Sequence, residues 1–139
     1  MTAAEWGAAG ARAVTSPLRF LAVGASGVAV NVAAFAGLDA AGVRAGPAAT
    51  GAFVVAVANN FWWNRTWTFS ARSVGSARRQ ALRFLAVSAA VFVLTAVVLN
   101  LALSAGARPL AAVAFAIAAA TPVSFVVNRA WTFAPEARR

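Results

Sequence analysis

Four stretches of this chain carry no ionisable side chain, and each has the length of a bilayer crossing. Arg19 to Asp39 encloses 19 residues, Arg44 to Arg65 encloses 20, Arg83 to Arg108 encloses 24 and Arg108 to Arg129 encloses 20. A spanning helix needs about 20 mostly apolar residues, with a range of about 17–25. The whole chain has 139 residues and is 62 % hydrophobic, more apolar surface than a soluble domain of this size can hide. The fold class that follows is an all-α membrane protein with four transmembrane helices.

Prolines mark where these helices begin. Ser16-Pro17, Gly46-Pro47 and Arg108-Pro109 stand near the starts of spans one, two and four, where a missing N–H costs nothing. The predicted helices cover about 18–40, 47–64, 82–105 and 109–128, within one transmembrane domain over 17–133. Residues 1–16 form an Ala-rich N-terminal cytoplasmic segment with Trp6 as an interfacial anchor, either disordered or a surface helix. Residues 134–139 form a basic tail. The 19 uncharged residues of span one exceed the ~7–15-residue apolar core of a cleaved signal peptide, so that span is expected to be retained.

Arginine placement gives the orientation. Arg12 and Arg19 precede span one, Arg65, Arg72, Arg78, Arg79 and Arg83 fill the middle connection, and Arg129, Arg138 and Arg139 follow span four. Only Arg44 and Arg108 fall on the other side. Both termini and the middle loop are therefore expected on the cytoplasmic side of a cell membrane, the loop lying against anionic lipid headgroups.

The ionisable inventory excludes more than it offers. The net charge is +9, yet the arginines separate apolar runs rather than forming the surface stripe of a nucleic-acid binder. With no Cys and no His, thiol chemistry, sulfur metal sites and imidazole acid–base work are absent. The acids, Glu5, Asp39 and Glu136, are far apart. No Walker-type glycine loop is present, and no mid-span carboxylate supports a proton relay or the ion coupling of small multidrug exporters. The expectation is a protein that is not an enzyme and needs no cofactor or metal.

The chain repeats itself at an offset of 64. Arg19-Phe20-Leu21-Ala22-Val23 recurs as Arg83-Phe84-Leu85-Ala86-Val87, and Asn64-Arg65-Thr66-Trp67-Thr68-Phe69 as Asn128-Arg129-Ala130-Trp131-Thr132-Phe133. Each unit holds an even number of spans, so two helical hairpins related as parallel repeats are expected, with binding sites where repeats meet.

The run Asn60-Phe61-Trp62-Trp63-Asn64-Arg65-Thr66-Trp67-Thr68-Phe69, with Arg19-Phe20, Val23-Gly24, Gly27 and Asn31 upstream, resembles the GtrA-like family of small four-helix membrane proteins. The resemblance covers about 19–133. It implies passive flipping of a polyprenyl-phosphate-linked monosaccharide across the cytoplasmic membrane for cell-surface polysaccharide or glycan synthesis. Some relatives are fused to polyprenyl-phosphate glycosyltransferases or work beside them, which leaves open a non-transporting subunit that anchors such an enzyme. The second copy departs from the pattern: Ser88, Val91, Thr95 and Ser124 replace Gly24, Gly27, Asn31 and Asn60. The first copy therefore ranks higher for function. Pro122, opposite Ala58, is expected to kink helix four by freeing the Ala118 carbonyl.

A lipid-linked sugar offers an anion, a hydroxyl-rich ring and an apolar tail. Arg65 and Arg129, duplicated at cytoplasmic helix ends, suit the phosphate through forked contacts, though snorkelling topology charges would look the same. Asn60 and Asn64, four apart, share a helix face; with Asn31 and Asn128 they suit sugar hydroxyls. Helix-to-helix hydrogen bonding at about 0.6–2 kcal/mol per contact is the structural alternative. Trp67 and Trp131 suit stacking on the ring, against an interfacial aromatic belt that also takes in Trp62, Trp63, Phe69 and Phe133. Gly24 and Gly27 are read as close-packing positions. Four helices enclose little volume, so a homo-oligomer remains open.

Overall fold

The computed structural model describes residues 3–73 and 75–134, with side chains from residue 16 onward. Among these residues there are four α-helices and no strand: α1 (Ala3–Ala40), α2 (Ala45–Trp63), α3 (Ala77–Ser104) and α4 (Pro109–Val127). A five-residue π-helical turn extends α2 over Asn64–Thr68, and another extends α4 over Asn128–Thr132. The chain divides into two units, Met1–Ser73 and Val74–Arg139. In each, two consecutive helices pack on one another, α1 on α2 and α3 on α4.

Helix limits differ from the sequence reading in instructive places. α1 begins at Ala3 and runs through Pro17, because the Ala-rich segment before the proline favours helix strongly. Trp6, and the tail from 135 onward, lie outside the described side chains. α3 begins at Ala77, five residues before the predicted start; Ser76 caps it by accepting from the Arg79 N–H at 3.5 Å, and good helix formers follow it. α4 starts at Pro109 as expected and continues through Pro122.

Both hairpin bends use the same device. Gly42 at φ +79° and Gly106 at φ +85° end α1 and α3. Val43 N–H reaches back to the Leu38 carbonyl at 3.0 Å, and Ala107 N–H to that of Ala102 at 3.0 Å, the six-to-one bond of a Schellman cap. A left-handed conformation costs a residue with a Cβ roughly 1–2 kcal/mol. Gly42→Ala should lower the stability of the first hairpin by about that amount, read as an earlier denaturant midpoint in detergent.

Packing within each hairpin reverses the soluble pattern. Ala48, Ala52 and Ala56 are buried along α2, and Ala112, Ala116 and Ala120 along α4. Spacing by four places each trio on a single stripe, and small side chains let helix backbones approach closely. Large apolar residues face outward instead, among them Leu21, Val32, Leu101, Leu110 and Phe115. Such a surface is at home in lipid. Among the described residues, three helical segments are long and apolar enough to cross a membrane, Ser16–Ala40, Ala77–Ser104 and Pro109–Thr132. α2 falls short because Gly46, Pro47, Thr50 and Gly51 dilute one end and Asn59 and Asn60 the other. This is a multi-pass membrane protein.

Candidate functional site

The π-helical turn at the end of α2 follows from its hydrogen bonding. Phe69 N–H donates to the Asn64 carbonyl at 2.8 Å, five residues back, and Phe133 N–H donates to that of Asn128 at 2.9 Å. Such turns often mark functional positions. Asn64 and Thr68 are buried inside the first turn, Asn128 and Thr132 inside the second. Their side-chain oxygens (Asn64 Oδ1, Thr68 Oγ1, Asn128 Oδ1, Thr132 Oγ1) have no hydrogen-bond partner. Asn128 Nδ2 donates to the Ser124 carbonyl at 2.9 Å. The Asn64 and Asn128 amides are both almost wholly buried. Phe20 against Phe69 (centroids 6.1 Å apart) and Phe84 against Phe133 (6.2 Å) pack at the same ends.

Arginines from the first helix of each pair close these ends. The Arg19 guanidinium stands 5.3 Å from the Trp67 ring centroid and donates to the Trp67 carbonyl at 3.3 Å. Arg83 repeats the arrangement on Trp131, at 5.5 Å and 3.1 Å. Each cation satisfies a carbonyl left over at a helix C-terminus and sits at the negative end of the helix dipole. Each also lies against an aromatic ring. Arg65 is half-buried and Arg129 exposed, in the same π-helical turns. Trp67 and Trp131 remain 42 % and 47 % exposed, and each lines a groove.

Beside each Arg–Trp pair runs an open groove. The first, of about 360 Å³, is lined by Ala22, Val23, Ser26, Trp63 and Trp67. Trp63 and Trp67 meet edge to face, 6.5 Å between centroids at 77°. Ser26 is backed by an amide network: Asn59 Nδ2 donates to Ser26 Oγ at 3.2 Å and, more weakly, to Asn60 Oδ1 at 3.4 Å. Ser26 Oγ in turn donates to the Val23 carbonyl at 2.8 Å. The second groove, of about 390 Å³, lies between α3 and α4 beneath Trp131. Of these two grooves, the first is the one that combines an aromatic wall, a hydroxyl–amide floor and a cationic rim.

Glycine placement explains why the amides fit. A Cβ on Gly27 would overlap Oδ1 and Nδ2 of Asn60 and stand 2.7 Å from its Cγ. Gly24 does not act in this way, since a Cβ there would meet nothing within 4 Å; it lies on an exposed side of α1. Asn31 is half-buried further along α1.

Of the residues singled out from sequence, Asn60 joins the groove network and Trp67 and Trp131 join the Arg–Trp pairs. Asn64 and Asn128 are enclosed instead. Arg19, Arg83, Ser26, Asn59 and Trp63 are additions. The signal for the two arginines was present in the repeat: Arg19 to Trp67 and Arg83 to Trp131 share one separation of 48 residues.

A family model described as GtrA/DPMS, transmembrane domain, matches residues 19–133. The chain is also 28 % identical over 115 residues to the uncharacterized membrane protein YngA of Bacillus subtilis (strain 168), a match covering 83 % of this chain and 77 % of that protein.

Proposed function

The chain belongs to the GtrA/DPMS transmembrane-domain family, and on that premise we propose that it passively moves a polyprenyl-phosphate-linked monosaccharide across the cytoplasmic membrane. Supply of the lipid-linked sugar on the inner face and its use on the outer face, in building cell-surface polysaccharide or glycan, drive the movement. Four spans carry it, arranged as two parallel-repeat hairpins with both termini cytoplasmic. α2 has 19 residues, about 28 Å of helix at 1.5 Å per residue, enough for the hydrocarbon core.

The observation that carries this reading is the Arg19–Trp67 pair at the rim of a groove whose wall is Trp63 and Trp67 and whose floor is Ser26. A guanidinium at the headgroup level recognises a phosphate diester. Arg65, in the same turn, supplies the forked contact, and Arg129 with Trp131 repeats it in the second unit. The sugar ring stacks on Trp67 where it lines the groove, and its hydroxyls pair with Ser26, Asn59 and Asn60. Asn31 offers a further amide deeper along α1. Asn64 and Asn128 hold the π-helical turns from inside and so set the positions of the arginines that follow them.

The deciding test uses liposomes containing only the purified protein and a labelled polyprenyl-phosphate hexose. An impermeant reagent should gain access to the inner-leaflet share of the label, well above protein-free vesicles. No access with folded protein and a native sugar would overturn autonomous translocation. It would point instead to a non-transporting subunit that anchors a membrane glycosyltransferase, tested by co-purification with such an enzyme.

A further inference from the structure

The two grooves have matching Arg–Trp rims, each within its own unit, but different linings. Where the first carries Ser26, backed by Asn59, and Trp63 on its wall, the positions 64 residues on are Ala90, Val123 and Val127. All three line the second groove, with Val87, Leu94 and Trp131. Apart from the Trp131 indole N–H, no side chain lining this groove can form a hydrogen bond. A sugar placed there would leave its hydroxyls unpaired, at a cost in a low-dielectric setting.

Its shape and charge suit a simpler lipid. Lining residues of α3 recur at three- and four-residue steps from Ala86 to Leu94, so the groove follows the helix for about 12 Å at 1.5 Å per residue. Arg83 stands at its head over Trp131, and a guanidinium holding one carbonyl has further N–H donors. Arg79 precedes Arg83 by one helical turn, and Arg129 precedes Trp131 by two residues. Over the whole of this unit the sequence sets seven arginines against a single carboxylate, Glu136. Such a site favours a dianion over a monoanion.

We infer that the second groove is a binding site for a lipid phosphate monoester, its chain along α3 and its phosphate at Arg83. The inference rests on the proposed function only for the source of that lipid, the polyprenyl carrier once its sugar has been removed.

The test titrates geranylgeranyl phosphate into the full-length protein in phosphatidylcholine nanodiscs, with bound lipids counted by native mass spectrometry. The monoester should outcompete both its hexosyl diester and phosphatidylglycerol by about tenfold at one site. That site should be lost in Ala90→Phe and weakened in Arg83→Gln, with Arg83→Lys between. Binding should also weaken from pH 8 to pH 5, because a phosphate monoester regains its second proton near pH 6. Equal competition by phosphatidylglycerol would reduce the groove to an annular lipid contact, and equal competition by the diester would remove the monoester preference. Either result overturns the proposal. A diazirine-bearing geranylgeranyl phosphate on the unaltered protein gives a readout free of folding effects. Crosslinks to residues 86–94 and 123–131 are expected, and crosslinks confined elsewhere would overturn the assignment. None of these measurements involves sugar movement, so failure of translocation and failure of this site are told apart.

Discussion

Arg65→Ala should leave the protein inserted and folded while slowing delivery of polyprenyl-phosphate hexose to the outer leaflet by roughly one to two orders of magnitude, and Arg65→Lys should keep more of the rate. The reasoning is chemical. A charge-assisted hydrogen bond to an ionised group is worth about 1.5–3 kcal/mol, which corresponds to roughly a 10- to 100-fold loss. Lysine keeps the charge but loses the planar fork that matches two phosphate oxygens. Arg129→Ala should cost less, because the second copy carries Ser124 and Val123 in place of Asn60 and Asn59. Arg19→Ala should act twice, removing the rim cation and uncapping the Trp67 carbonyl; it should lower both rate and stability. Wild-type transport by a correctly inserted Arg65→Ala protein would take Arg65 out of the phosphate site.

Gly27→Val should destabilise the first hairpin by about 1–3 kcal/mol, the usual cost of forcing extra methyl groups into a packed site. The Asn60 amide occupies the space that a Cβ would need, and moving it also disturbs the bond from Asn59. The second copy indicates the remedy. Val91 and Ser124 stand at the equivalent positions, a larger residue on one helix matched by a smaller one on the other. Gly27→Val combined with Asn60→Ser should therefore recover most of the loss. Unfolding midpoints in detergent for the two single variants and the double variant form a mutant cycle. Purely additive effects would show that the two positions do not compete for one volume.

Charge spacing alone reveals the number of helices, because an ionisable side chain in hydrocarbon is costly wherever it falls. Helix ends are harder. Nothing apolar begins at Ala77, so the uncharged run after Arg83 suggests a start near 82, whereas capping by Ser76 starts α3 earlier. The alanine stripes were invisible for a different reason: in a chain so rich in alanine, three more at four-residue spacing carry no contrast. The repeat aligns the two copies residue by residue, yet it could not say what each one touches. Arg19 and Arg83 read as orientation charges, since a cation at the edge of an apolar run already has that explanation. Only the approach of α1 to the end of α2, and of α3 to the end of α4, turns them into caps and rims. Asn64 shows the converse limit. Its spacing from Asn60 places the two on a common helix face, but not what covers that face, and Asn64 lies buried while Asn60 is only half so.

The alanine seams have a thermodynamic consequence. Ala48 and Ala52 in one hairpin and Ala112 and Ala116 in the other are wholly inaccessible, so neither helix pair leaves a passage between its helices there, and each groove is a surface feature of its own pair. A lipid that binds such a groove from the bilayer keeps its tail out of water throughout. The large cost of extracting a hydrocarbon chain, about 0.8 kcal/mol for each CH₂ group, then drops out of the equilibrium. Occupancy becomes a two-dimensional partition, governed by the mole fraction of the lipid in the leaflet rather than by its concentration in water. Lengthening the polyprenyl chain beyond the reach of the groove should leave the binding constant, expressed in that unit, nearly unchanged.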